Sequence, residues 1–327
     1  RTMFIPVERP SACMKALVAG ATGFVGERLV SALLERGEDV VAFSRSASEY
    51  DWQPAVEPRE GDLGDPESIA GMCEDIDVAY YLIHSLTRDN FADRDRRYAE
   101  RFQKMASAAG VDRVVYLSGI SGAAEGQTLS PHLASRREVE GVLAEGTFDL
   151  TVLRAAIIIG TRSASFRIVD DLTERLPFMI VPQWVQVPCQ PIAIDDVIAY
   201  LIGLLEVPAT RGEIYDIGAP DVWSYKSLME LTARLKDRSF LMVPVPVMTP
   251  ELSSHWLRLT TDVQYDIARP LVESMRYPVT VDASRDIQDT VPIERTSIQD
   301  AVERTLANEN LEVDSGVVGR LLDRNPV

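Results

Sequence analysis

Lysine is nearly missing from this chain. Only Lys15, Lys104, Lys226 and Lys236 occur among its 33 lysine and arginine residues. The positions four before them are Ser11, Glu100, Val222 and Thr232, so no Tyr-x-x-x-Lys pair exists. Cysteine is sparse: Cys13, Cys73 and Cys189 lie far apart with no C-x-x-C spacing, which points to neither a zinc site nor a disulfide framework. Three dispersed histidines, His84, His132 and His255, do not suggest a metal centre. No apolar run approaches the roughly 20 residues of a membrane helix, and the longest, Val197 to Leu205, reads as a core helix. No secretory signal is evident, and the expectation is a cytoplasmic protein. There is no basic stripe to meet nucleic acid either, because the formal charge is −17. Acid excess with arginine in place of lysine fits a salt-rich cytoplasm; a GC-rich genome that favours arginine codons is the alternative. Residue 1 is Arg, and Met14 directly precedes the first apolar run, so residues 1–13 read as a tag, a scar or a frayed arm.

What is present is a core-forming chain, 46% hydrophobic over 327 residues, with one dominant motif. Ala16 to Ala19 reads as a buried parallel strand. Gly20, Gly23 and Gly26 follow at the spacing G-x-x-G-x-x-G, with Thr22, Phe24 and Val25 between them. A helical pattern runs to Arg36, with Val25, Leu29 and Leu33 on one face, and Gly37 stops it. Strand, glycine turn and helix are what a dinucleotide pyrophosphate requires: a tight turn, close backbone approach, and free N–H groups at a positive dipole end. Gly20 would make the turn, Gly23 the close approach, and Gly26 the contact of helix with strand.

A second strand, Asp39 to Phe43, ends in Ser44-Arg45-Ser46. Where an acid would bind the ribose 2′-hydroxyl of NAD, this chain offers a guanidinium between two hydroxyls, so NADP(H) is favoured over NAD(H). Residues 59–63 would close a third strand, with Asp62 and Leu63 against the adenine. Asp65-Pro66 is expected to open a helix. Asp77 to Ile83 is a fourth strand, followed by His84, which reads either as a hydrogen bonder within the loop or as a border of the nicotinamide site. A helix over 89–109 and a fifth strand over 113–117 precede Ser118-Gly119-Ile120-Ser121-Gly122. Ser130 caps a helix from Pro131, and a sixth strand lies within 148–160. The alternation predicts an α/β fold: a Rossmann doubly wound parallel sheet whose strand ends share one crevice. Residues 14–160 form its NAD(P)-binding part. Residues 161–327 complete the sheet and supply a smaller substrate-binding cap, with Asp195-Asp196 capping a helix from 197. Trp184, Trp223 and Trp256 could line the pocket or fill the core. The stretch 256–270 is amphipathic.

With the glycine turn, Ser44-Arg45, Asp62-Leu63, Tyr116-Leu117-Ser118-Gly119 and Gln190 to Val197 all in order, the chain resembles atypical, extended short-chain dehydrogenases/reductases. It is most similar to NmrA-like NAD(P)-binding proteins and the nucleotide-binding accessory subunit of respiratory complex I. Ser130 to Arg136, Ser163 to Phe166 and Pro270 to Ser274 carry the same likeness. The resemblance implies a Rossmann domain, a dinucleotide across 20–26, 44–45 and 62–63, and a C-terminal substrate region.

The departure is catalytic. Where that family carries Tyr-x-x-x-Lys, this chain has His132-x-x-x-Arg136, which shares one helix face. One reading is hydride transfer between NADP(H) and a carbonyl or conjugated apolar small molecule. Ser118 (or Ser121) would polarise the acceptor, His132 would donate the proton, and Arg136 would hold the ribose. The other reading is a redox sensor or assembly subunit that binds the dinucleotide without turning it over, with His132 and Arg136 only capping and pairing. The surface leaves room for a protein partner or a homo-oligomer.

Overall fold

The computed structural model describes residues 13–84, 90–121, 129–175, 178–239, 241–245 and 277–308. Its strands are β1 (Lys15–Ala19), β2 (Asp39–Ser44), β3 (Val56–Glu60), β4 (Val78–Tyr81), β5 (Arg113–Gly119) and β6 (Asp149–Ala155), then the short β7 (Ile158–Ile159), β8 (Phe178–Pro182), β9 (Pro188–Cys189), β10 (Ile192–Ala193), β11 (Ile214–Ile217), β12 (Trp223–Ser224) and β13 (Leu241–Val245). The helices are α1 (Phe24–Arg36), α2 (Phe91–Ala109), α3 (Pro131–Ala144), α4 (Ala164–Arg175), α5 (Ile194–Gly203) and α6 (Tyr225–Leu235). A last helical run covers residues 298–308.

Seven strands form one parallel sheet in the order β11-β6-β5-β4-β1-β2-β3. The chain winds outward from β1 to β3, then returns to the other side of β1 at β4. Side chains alternate across this sheet. Leu17, Val41, Phe43, Ala79, Tyr81 and Tyr116 pack on one face with Phe102 of α2 and Leu143 of α3. Val18, Ala42, Tyr80, Val115 and Leu153 pack on the other with Leu29 and Leu33 of α1 and Leu201 of α5. Both faces are covered, which is why β1 and β2 read as continuous apolar runs. A third apolar cluster joins α4 and α6 through Phe166, Val169, Leu228 and Leu231. Three strand pairs lie outside the main sheet: β7 with β10, β9 with β12, and β8 with β13.

Several sequence expectations need correction. Residues 66–75 form successive turns, not a helix. The Asp65 carboxylate accepts from Glu67 N at 3.1 Å as a local turn, and Gly71 (φ 73°) and Asp75 (φ 56°) take left-handed backbone that a helix excludes. The third strand ends at Glu60, leaving Gly61 to Leu63 as loop. The α5 helix begins at Ile194 after Ala193, so Asp195 and Asp196 lie in its first turn and do not cap it. The Asp196 carboxylate instead accepts from Thr296 N and Oγ1, both at 2.8 Å. The sixth strand divides, with Ile158–Ile159 leaving to pair with β10. Ser130 caps α3 as expected, its side chain accepting from Leu133 N. Gly122, His255, Trp256, the stretch 256–270 and Pro270 to Ser274 lie outside the described residues.

Candidate functional site

In a doubly wound sheet the crevice opens beyond the strand ends where the winding reverses, here between β1 and β4. A cavity of about 920 Å³ lies there. Gly20, Thr22, Gly23, Phe24, Val25 and Gly26 line one part of it. Gly20 adopts φ 95°, and its N–H donates to Phe43 O at 2.9 Å, so β1 turns sharply over β2. Gly26 is packed against the turn: a methyl group there would lie 2.8 Å from Ala21 Cα and would overlap the Gly20 carbonyl. No side chain caps α1, so its first-turn amides remain for a ligand. A backbone cradle that a Cβ would fill, ending in uncapped amides, fits a pyrophosphate.

Ser44, Arg45, Asp62, Leu63 and His84 line the same cavity, as do Ser118, His132 and Arg136. All the candidate cofactor and catalytic residues singled out from the sequence thus meet, except Ser121, while Trp223 packs against the α4–α6 cluster and not along the cavity. Arg45 is exposed and makes no ion pair among the described residues. The Asp62 carboxylate accepts from Gly64 N at 2.7 Å. Four lining residues are cationic, Arg45, Arg94, Arg136 and Arg162, whereas Asp62 is the one lining carboxylate among the described residues. An interior of this sign inside a chain of charge −17 concentrates polyanions.

Ser118 is buried, and its hydroxyl donates to Glu140 Oε1 at 2.8 Å. Glu140 also takes Arg154 through Nε at 3.0 Å and Nη2 at 2.5 Å, and Arg137 Nη1 at 3.2 Å. A carboxylate only accepts, so Ser118 presents lone pairs to the cavity and not its proton. Polarising a carbonyl, the role expected of Ser118, would require release of this bond. Ser121 accepts from Arg137 Nε at 3.0 Å and Nη2 at 2.7 Å, and it does not line the cavity.

His132 lies in the first turn of α3. Surrounding protein, and then the Arg136 charge, push its pKa down to about 3. His84 is held well below its ordinary value by the same burial, then by Arg136 and His132. Both rings are hemmed in by protein yet open to the cavity lumen, where His84 is exposed and His132 partly so. At neutral pH His132 is therefore a neutral ring that offers a hydrogen bond. Arg136 is 6% exposed, its guanidinium 5.4 Å from the Tyr116 ring centroid, and its Nη1 has no hydrogen-bond partner.

Sequence reading missed Arg94 and Tyr98 on α2, Tyr225 on α6, and Val279, all cavity-lining. It also missed Arg162, which makes a bidentate pair with Glu27 at 2.6 and 3.1 Å beside the start of α1. No local pattern marks these residues. Among the described residues no cluster of His, Cys, Asp and Glu suits a metal, and no helix is long and apolar enough to cross a membrane.

Residues 20–179 match the NAD(P)H-binding family. The chain is 26% identical over 233 residues to NADH dehydrogenase [ubiquinone] 1 alpha subcomplex subunit 9, mitochondrial, of Arabidopsis thaliana, covering 66% of this chain and 56% of that one. It is 32% identical over 127 residues to a 3 beta-hydroxysteroid dehydrogenase/Delta 5-->4-isomerase of Mycobacterium tuberculosis, covering 36% of this chain and 34% of that one. The chain therefore spans about a third to little over half the length of these relatives. In fold it is similar to a nucleoside-diphosphate-sugar epimerase of Staphylococcus aureus, with a TM-score of 0.71, 16% identity, and coverage of 89% of this chain and 100% of the other. Glycine turn, parallel sheet and family match together mark residues 20–179 as an NAD(P)H-binding domain, and the relatives support the likeness of the chain to atypical, NmrA-like short-chain dehydrogenases/reductases.

Proposed function

We propose that the protein is an NADP(H)-dependent oxidoreductase that interconverts a carbonyl and an alcohol on a small, largely apolar substrate. The observation that carries this reading is that neutral His132 opens into the same cavity as the uncapped glycine turn. A sensor has no need of a hydrogen-bonding group there, and Leu133, Ile157, Ile158 and Tyr225 supply an apolar wall for a substrate.

In this proposal the glycine turn makes room for the pyrophosphate, and the uncapped amides at the start of α1 hold it. Ser44 and Arg45 take the 2′-phosphate, Asp62 and Leu63 border the adenine, and His84 borders the nicotinamide. When bound, the dinucleotide supplies or accepts a hydride at its nicotinamide ring. His132 would give its ring N–H as a hydrogen bond to the substrate oxygen, as a neutral imidazole at a helix N-terminus can do when it polarises a carbonyl without ionising, and the proton that completes the alcohol would come from solvent reaching the open cavity. Arg136 directs one N–H to the ribose, and Ser118 fixes the wall through Glu140.

The test is NADPH and NADH turnover on a panel of apolar ketones and aldehydes. His132→Ala is expected to lower kcat/KM by about 10²–10⁴-fold. Arg45→Gln is expected to raise the Kd for NADPH by about tenfold and leave that for NADH unchanged. Equal rates with and without His132 would overturn its role. The second reading, a non-catalytic NADP(H)-binding sensor or assembly subunit, is favoured by the length of the match to the complex I subunit. It predicts dinucleotide binding with no turnover on any member of the panel.

A further inference from the structure

Arg136 presents an unbalanced charge. A guanidinium stays protonated at any working pH, and a buried one is costly without an anion. The carboxylate placed to neutralise it is Glu140, one helical turn on along α3. Glu140 is instead consumed by Ser118, Arg154 and Arg137. Asp95, buried on α2 and facing the same tyrosines, is engaged in an interaction of its own. Among the described residues, the groups left to face Arg136 are the Tyr116 ring, the buried Tyr81 hydroxyl, which also lacks a partner, and two neutral imidazoles. Ribose hydroxyls would use one of its N–H groups but bring no charge. The pyrophosphate cradle is at the start of α1, and Arg45 is the exposed cation that lines the cavity beyond β2.

We propose that Arg136 is the receptor for a substrate carboxylate, and that the substrate is an apolar-tailed oxo acid. This rests on the oxidoreductase reading in taking the cavity as the substrate site and His132 as the donor to the substrate carbonyl. The geometry sets the class further. His132 and Arg136 are i and i+4 on one helix, so their Cβ atoms are roughly 5–6 Å apart. A carbonyl oxygen on His132 and a carboxylate on Arg136 would then be close neighbours, a spacing that 2-oxo and 3-oxo acids provide. The remainder of the molecule would meet Leu133, Ile157, Ile158 and Tyr225.

The test is calorimetric titration of the full chain, saturated with NADP+ so that no ketone is consumed, with 3-oxodecanoate and with its methyl ester. The acid should bind about tenfold more tightly than the ester. In Arg136→Gln, which keeps a hydrogen-bond donor for the ribose, this ratio should fall to near one, and in Arg136→Lys part of it should remain. A wild-type ratio near one, or a ratio that Arg136→Gln leaves unchanged, overturns the proposal. Should Arg136→Gln fail to fold, Arg136→Lys decides: a ratio it leaves wholly at the wild-type value overturns the proposal. A separate NADP+ titration guards the distinction: wild-type protein that binds no dinucleotide overturns the proposed function, and the acid-to-ester ratio, measured then without dinucleotide, still decides for Arg136.

Discussion

His132 is kept uncharged by two agreeing influences, protein packed around its ring and a guanidinium one turn away. The pH dependence follows. An unfolded imidazole takes a proton near its ordinary 6.5, whereas folded His132 resists until about 3. Between those values the unfolded chain binds more protons, so this contribution to stability is complete above pH 6.5 and is lost as pH falls through the window. The loss by pH 5 amounts to at most about 2 kcal/mol, because the ring is partly open to the cavity. The denaturation midpoint of His132→Asn should therefore drop less between pH 7 and pH 5 than that of the wild type, and parallel curves would contradict this. His84 acts with the same sign. The pairing of His132 with Arg136 was legible because both sit on one helix at a fixed spacing. The engagement of Ser118 was not, because Glu140 lies 22 residues away and meets it only once α3 has docked on β5.

Helix α3 begins with its first turn held by Ser130, whose side chain accepts from Leu133 N at 3.2 Å, and with Pro131 in the first helical position. Ser130→Ala should cost about 1 kcal/mol in chemical denaturation. Because the same turn carries His132, the substitution should lower kcat more than it raises the Kd for NADPH. Equal losses in both would place the effect on the whole fold. This helix was readable from Ser-Pro followed by periodic apolar residues. The same kind of signal failed at Asp65-Pro66, where Gly64 and Gly71 flank too short a run for a helix, and buried Ile69, Met72 and Cys73 are brought inward by turns. At Asp195-Asp196 the local pattern suggested a cap, but Thr296 from far along the chain claims Asp196.

Across the whole molecule the net charge of −17 and the arginine-lined cavity pull in opposite directions. Salt at about 1 M shortens the screening length to roughly 3 Å, which relieves acidic self-repulsion and equally weakens attraction for phosphates. Raising KCl from 0.1 to 2 M should raise Tm by about 3–6 °C, the effect of about 2 kcal/mol in a chain of this size. Over the same range the Kd for NADPH should rise. A Tm that falls with salt would defeat the salt-adapted reading. The parallel sheet was visible in the sequence as alternating apolar runs and helical periods, but its outermost strand was hard to place, because Ile214 to Ile217 finds β6 only after a long detour through α4, α5 and the short strand pairs.

That late strand has a practical corollary. Residues 214–217 bond along the full inner half of β6, and α5 rests on α1. A gene product ending near residue 160 would keep every glycine of the nucleotide turn yet leave β6 with a raw, unpaired flank and α1 with a bare oily side. Such an excised piece should recruit neighbouring copies of itself into insoluble stacks instead of serving as a portable nucleotide-binding cassette.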